Sequence, residues 1–305
     1  ADDADVFHAN DLDTLVPAAW AAQLRDERYV YDAHELYEDE RPSLSGAERQ
    51  ARAHVERTLM AGAAASFTVS ALLATEIARR HGVPPPIALH NVPALVPCPP
   101  RTRVTAFSAQ RPLRLLLHGS WVGLDQPGVD AALVALGRVP QATLTLRGGV
   151  REDGALRRRI ADLGLTDRVT LAPRLPGAEA RIQAAIEGQY DIGLSVHLPD
   201  CESRRLATSS KVFEYLMAGL CIVAADQKGS RHILQDLSHG QPVGHLFVPD
   251  DVESLASTLR GLQADPQRLF HQQQAARRLA EAELCWEHER QTLISCYRRL
   301  ATVRV

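Results

Sequence analysis

Thr208-Ser-Ser-Lys-Val-Phe-Glu-Tyr-Leu-Met-Ala-Gly-Leu-Cys-Ile-Val-Ala-Ala225 decides the reading of this chain. Thr208, Ser209 and Ser210 carry hydroxyls that accept hydrogen bonds from first-turn amides, and Gly219 suits the left-handed residue that ends a helix. A helix over about 210–218 follows. Leu220 to Ala225 is apolar without alternation, as in a parallel strand covered on both faces. A helix feeding such a strand belongs to an α/β core.

Lys211 and Glu214 stand three apart and share one helix face, while Phe213, Leu216 and Met217 form the apolar side. The helix N-terminus carries partial positive charge and unpaired amides, the arrangement that receives phosphate, and Lys211 adds a full charge there. Glu214 can accept hydrogen bonds from sugar hydroxyls. Only Lys211 and Lys228 are lysines among the 34 basic residues, so Lys211 stands out in a chain that otherwise uses arginine. The same pair also fits an exposed i,i+3 ion pair worth about 0.2–0.5 kcal/mol. Both readings stand at this point.

Working outward, strand and helix patterns alternate. Strands are expected at 6–8, 29–31, 66–69, 87–91, 113–119, 142–146, 169–171, 191–196, 220–225 and 246–248. Helices are expected at 12–24, 42–59, 70–81, 128–136, 152–163, 178–187, 210–218 and 252–262, with a helical segment over 265–305. Ser70 and Asp250 with Asp251 are expected caps, and Gly82 ahead of Pro84-Pro-Pro86 is a stop. Ligands of parallel sheets bind beyond the carboxyl ends of strands, where His8, Asn10, Asp11, His34 and Glu35 fall. Gly119 with Ser120, and the pair Gly148-Gly149, read as close phosphate approaches or as turns. Residues 197–209 read as a polar loop. On it, Arg204 and Arg205 either supply a cation to a ligand or are simply solvated.

Composition bounds the rest. A chain of 305 residues with 45% hydrophobic and 23% charged content has room for two α/β cores. A net charge of -3 gives no reason to expect nucleic acid as a partner. Five scattered cysteines suit a reducing compartment and no zinc site. The most apolar window, 59–74, is too short and polar to span a bilayer, and no secretory leader is visible.

Ser209-Ser-Lys-Val-Phe-Glu-Tyr-Leu-Met-Ala-Gly219 resembles the donor-binding helix of GT-B glycosyltransferases of the family 4 type, which commonly read Pro-Asn-Lys-x-Phe-Glu-Tyr-x-x-x-Gly. Ala4 to Leu15 and Tyr31-Asp-Ala-His-Glu-Leu36 are similar to two strand ends of that family's N-terminal domain. Asn91-Val-Pro93 and Gly244 to Leu255 resemble its exit segment and its closing strand and helix. The resemblance implies two Rossmann-like domains facing a cleft, with the last helix crossing back to the first. The expected division is 1–105 with 286–305 for the acceptor side, and 106–285 for the donor side. The family's first strand and glycine-rich loop have no counterpart in this sequence, so the N-terminal domain reads as incomplete.

The resemblance further implies retaining, metal-independent transfer of a hexosyl group from a nucleoside-diphosphate sugar to a hydroxyl acceptor, without a cofactor. The acceptor can be a glycan, a lipid or a small metabolite. Lys211, Gly119, Ser120, Ser209 and Ser210 are expected at the diphosphate and Glu214 at the ribose. Arg174, in the turn Ala172-Pro-Arg-Leu-Pro176, is expected near the base, and His34, with His8 second, at the transferred sugar or the acceptor. Lys211 and His34 are the catalytic candidates. The expected location is the cytoplasm or the inner membrane face, with a homo-oligomer or a partner protein as an open alternative.

Two further departures from the family pattern matter. Many members carry a second glutamate eight positions before the one matched by Glu214, where this chain has Leu206. The loop His118 to Gly128 lacks the cations that usually meet the diphosphate. A binding or scaffold protein on the same fold, or a nucleotide-sugar epimerase, are the rival expectations. The epimerase lacks a visible acid/base carboxylate cluster.

Overall fold

A computed structural model describes residues 4–104, 106–126, 128–150, 153–196 and 200–302. The elements begin with β1 (Val6–Asn10), α1 (Leu12–Arg25), β2 (Arg28–Ala33), α2 (Gly46–Met60), β3 (Ala65–Thr68), α3 (Ala71–His81) and β4 (Ile87–Ala88). Next come β5 (Leu113–Trp121), α4 (Val129–Gly137), β6 (Ala142–Gly149), α5 (Asp153–Asp162), β7 (Val169–Ala172), α6 (Gly177–Glu187) and β8 (Ile192–Ser195). The remainder is α7 (Glu202–Leu206), α8 (Ser210–Met217), β9 (Cys221–Ala225), α9 (Lys228–Arg231), β10 (Gly244–Phe247), α10 (Val252–Ala264), α11 (Pro266–Ala282) and α12 (Trp286–Thr302).

Contacts divide the chain into two compact units, Ala1–Asn91 with Pro199–Thr208 and His288–Val305, and Val92–Leu198 with Ser209–Glu287. Residues 92–104, expected with the first domain, run along the second unit: Val92 and Val96 join its core, and Arg101 donates to the carbonyls of Gly219 and Tyr190. Residues 200–208, expected with the second domain, contact the first. Ser203 Oγ accepts from the Leu36 amide at 2.9 Å, and Leu206 packs into that unit's core.

In the first unit the four strands are parallel in the order β1-β2-β3-β4. Tyr31, Phe67, Leu73 and Ile77 are fully buried against the helices. Ser70 caps α3 by accepting from the Leu73 amide at 3.1 Å, and Gly82 ends that helix at φ 67. From α12, Tyr297 meets His8 and Glu289 lies 2.6 Å from His90. The closing helix thus belongs to the first unit.

The second unit has six parallel strands ordered β10-β9-β8-β5-β6-β7. Counted within the unit from β7, this is the 3-2-1-4-5-6 arrangement of a Rossmann fold, with its reversal point between β5 and β8. The central strands are apolar on both faces because helices cover both, as the unbroken burial of Cys221 to Ala225 shows. Gly219 adopts φ 66, and the amides of Gly219 and Leu220 bond the carbonyls of Leu216 and Tyr215, both at 3.0 Å. That bonding closes α8 and turns the chain into β9.

Four local expectations differ from the structure. The strand expected over 87–91 pairs only at Ile87 and Ala88, because its partner β3 ends at Thr68. Gly148 and Gly149 are not a turn but the end of β6. A Cβ on Gly148 would stand 2.9 Å from the Gly119 carbonyl, so the pair lets the end of β5 approach. Part of the expected 197–209 loop is α7, while 197–199 lie outside the described residues. The 265–302 segment is two helices, broken where the amides of Glu283 and Leu284 both turn to the Leu279 carbonyl. Among the described residues, no helix is long and apolar enough to cross a membrane.

Candidate functional site

The carboxyl end of β5 lies at the reversal point of the second unit's sheet, where the two halves diverge and leave a crevice. His118, Gly119, Ser120, Trp121 and Gln126 line a cavity of about 240 Å³ there, with Arg181 from α6 and Ser209, Ser210, Lys211 and Glu214 from α8. All the expected diphosphate and ribose residues therefore meet in one place. Arg174 does not line this cavity; it is exposed in the turn after β7. At about 240 Å³ the cavity is smaller than the usual 300–1,000 Å³ of small-molecule sites.

The N-terminus of α8 opens on this cavity. Ser209 occupies the N-cap position without a side-chain capping bond, while the Val212 amide of the first turn bonds the Ser209 carbonyl at 2.9 Å. Lys211 is half-buried, and among the described residues its ammonium makes no hydrogen bond or ion pair. Burial pulls its pKa down, and the nearby Glu214 acts in the opposite sense.

Glu214 is 3% exposed and is not part of a surface pair with Lys211, which removes the exposed ion-pair reading. Arg181 Nε donates to Oε2 at 2.8 Å and Nη2 to Oε1 at 2.5 Å. Burial pushes the Glu214 carboxyl up, but the Arg181 fork, with His118 beside it, outweighs that and leaves the pKa below the usual carboxylate range.

The His118 ring is 1% exposed, tilted against Tyr215 at 4.6 Å, with Nε2 2.9 Å from Glu214 Oε2. That approach is off the line of a hydrogen bond, and Nδ1 has no partner among the described residues. Burial lowers the imidazole pKa despite the carboxylate, so the ring is neutral at physiological pH. Neither His118 nor Arg181 was singled out from sequence as a site residue. The run Leu115 to Leu117 only places His118 at a strand end, and nothing local to α6 marks Arg181.

In the first unit, His34 stands between two carboxylates at the carboxyl ends of β1 and β2. Nδ1 lies 3.3 Å from Asp11 Oδ1 and Nε2 3.4 Å from Asp32 Oδ2. The hydrogen bond to Asp32 raises the His34 pKa, partly opposed by burial. Burial acts to raise the Asp32 pKa, yet His34 and His8 bring it down to about 2. Asp11 also accepts from the Tyr37 hydroxyl and holds φ 67 with ψ 165, a conformation nearly confined to glycine. Glu35 accepts from Ser203 Oγ at 2.6 Å, and burial raises its pKa.

Arg204 and Arg205 are exposed and pair with Asp200 and Glu202 at 2.6 and 3.3 Å, as the solvated reading expects. Among the described residues, no three His, Cys, Asp or Glu side chains form a group that could hold a metal ion. None of the five cysteines forms a disulfide. Two further described cavities lie elsewhere, about 340 Å³ beside Met60 and Arg299 and about 210 Å³ beside Cys98 and Arg277.

Residues 1–94 match the glycosyl transferase 4-like domain family. No curated protein matches the chain. Among solved structures, Anabaena HepE in complex with UDP superposes with TM-score 0.77 at 17% identity, covering 97% of this chain and 79% of that one. Sucrose-phosphate synthase from Thermosynechococcus elongatus gives 0.68 at 20%, covering 97% and 73%. The pneumococcal O-GlcNAc transferase GtfA, in complex with UDP and GlcNAc, gives 0.68 at 14%, covering 97% and 57%.

Proposed function

We propose, from the premise that this is a GT-B chain carrying a glycosyl transferase 4-like domain over residues 1–94, that it transfers a sugar from a nucleoside diphosphate to a hydroxyl acceptor. The observation that carries this reading is the cavity at the β5–β8 reversal, where a Lys211 ammonium with no partner among the described residues, the N-terminus of α8 and an ionised Glu214 converge. Those are the groups that a diphosphate and a ribose require.

Lys211 and the first amides of α8, with Ser209 and Ser210, take the diphosphate. Gly119 and Ser120 bring the backbone of β5 to it, and Glu214 accepts from ribose hydroxyls. The bond that breaks joins the anomeric carbon to the diphosphate oxygen. Stabilising the departing charge is the main demand on the protein, and a lysine with preorganised amides meets it without a metal or cofactor. His34, held by Asp11 and Asp32 in the first unit, is assigned to the transferred sugar or the acceptor, and Arg174 to the side of the base. Transfer is of a hexose, with retention at the anomeric carbon, in the cytoplasm.

UDP is the first nucleotide to test, because HepE and GtfA were both solved with it. Calorimetric titration of UDP, GDP, dTDP and CDP into wild type and Glu214→Ala is the experiment. One nucleotide binding in the micromolar range and weakening at least tenfold in the variant supports the reading. No binding by any of the four would remove it in favour of a scaffold. NMR of the product then reads the anomeric configuration.

A further inference from the structure

Glu214 is buried, charged and close to three cationic or titratable groups on three elements: Arg181 on α6, His118 on β5 and Lys211 on α8 itself. Only Arg181 makes aligned hydrogen bonds to it, two in parallel, one to each carboxylate oxygen. That fork occupies one lone pair of each oxygen and leaves another on each, since a carboxylate offers about four acceptor directions. A vicinal diol presents two hydroxyl hydrogens at matching separation.

We propose that Arg181 is a positioning residue of this site: its guanidinium fixes the Glu214 carboxylate as a two-oxygen acceptor for the hydroxyl pair of a ribose. The inference rests on the donor-site reading above and deepens it. An isolated carboxylate that is 3% exposed would take up a proton or swing away, because burying an unpaired charge is costly. A protonated Glu214 would donate through one oxygen and no longer accept two hydroxyls. Lys211 lies in the same helix turn without ion-pairing Glu214, and His118 is neutral and off line. Neither substitutes for the planar fork, and a lysine at position 181 would offer a point charge in place of two parallel donors.

The test compares UDP with 2′-deoxy-UDP, or the corresponding pair for whichever base binds, by calorimetry between pH 5.5 and 8.5. Wild type, Arg181→Met, Arg181→Lys and Arg181→Met/Glu214→Gln are measured. Wild type is expected to prefer the ribonucleotide by about tenfold to a hundredfold, the usual worth of a hydrogen bond to a charged group, with little pH dependence. In Arg181→Met the preference should fall to within about threefold of unity at pH 5.5 and recover as rising pH ionises Glu214. Arg181→Lys should lie between. The pH dependence should vanish in the double variant, which lacks the titrating carboxylate.

A purely structural role for Arg181 would weaken both nucleotides equally and leave their ratio intact, which overturns the proposal while sparing the donor site. A wild-type ratio near one overturns it by removing the ribose contact. Failure of every nucleoside diphosphate to bind wild type removes the donor site and this inference with it.

Discussion

Lys211→Met removes the one charge in the cavity at the end of β5 that has no partner among the described residues. The ammonium is already partly desolvated in the free protein, which is why its pKa is pulled down. A ligand phosphate would therefore gain a partner without breaking an existing ion pair. A charge-assisted hydrogen bond in such a setting contributes about 1.5–3 kcal/mol, or roughly a ten- to 150-fold change in Kd. Calorimetry with the nucleoside diphosphate should show a loss in that range, while the parent nucleoside, lacking phosphate, should bind both proteins alike. No acid is stranded by the substitution, since Glu214 keeps Arg181, so the thermal midpoint should hold or rise. A loss below threefold, or an equal loss for nucleoside and diphosphate, would refute the assignment of Lys211 to phosphate.

Asp32 should stabilise the first unit by about 2 kcal/mol, because its pKa falls from 3.8 unfolded to about 2 folded. That stability is fully present above about pH 4 and lost as pH drops towards 2. Urea unfolding read by hydrogen exchange over β1 and β2 should show Asp32→Asn weaker at pH 5 and equal to wild type near pH 2. Arg111 grips the buried Asp191 with two hydrogen bonds of 2.8 and 2.9 Å, so Arg111→Met should cost about 3–5 kcal/mol, with part regained by adding Asp191→Asn. Denaturant midpoints measure both. Gly219→Ala meets no atom closer than 3.6 Å but must hold φ 66, so it should cost about 1–2 kcal/mol in thermal unfolding and leave nucleotide affinity unchanged.

What was legible from the sequence was what short-range chemistry encodes. The glycine stop at Gly219 and the unbroken apolar run into β9 are signals between residues a few positions apart, and the structure places α8 at Ser210–Met217 and β9 at Cys221–Ala225. The cap at Ser70 and the stop at Gly82 are of the same kind. Arg181 escaped notice because its partner lies 33 positions away and arrives only when α6 packs beside α8. Gly148 and Gly149 carried turn chemistry, yet their lack of side chains serves the close approach of β5, which no local pattern announces. Helix α7 spans five residues, too short for any periodicity to show. The bonds that hold α7 to the first unit, Ser203 to Glu35 and to the Leu36 amide, are likewise long-range.

The first unit is assembled from three separated pieces of chain, the last beginning at His288, whereas the second is nearly continuous between Val92 and Glu287. On the ribosome this imposes an order. At about 5–20 residues per second, β1 to β4 wait roughly 10–40 seconds for the helix that brings Tyr297 to His8 and Glu289 to His90. During that interval the second unit can complete its sheet, while the surface of the first that α12 will cover, around Val30, Phe67 and Ile87, stays open to the cell. The nascent chain is thus exposed to chaperones and to misassociation through β1 to β4 until α12 is made, and a ribosome stall shortly before residue 288 would trap it in that state.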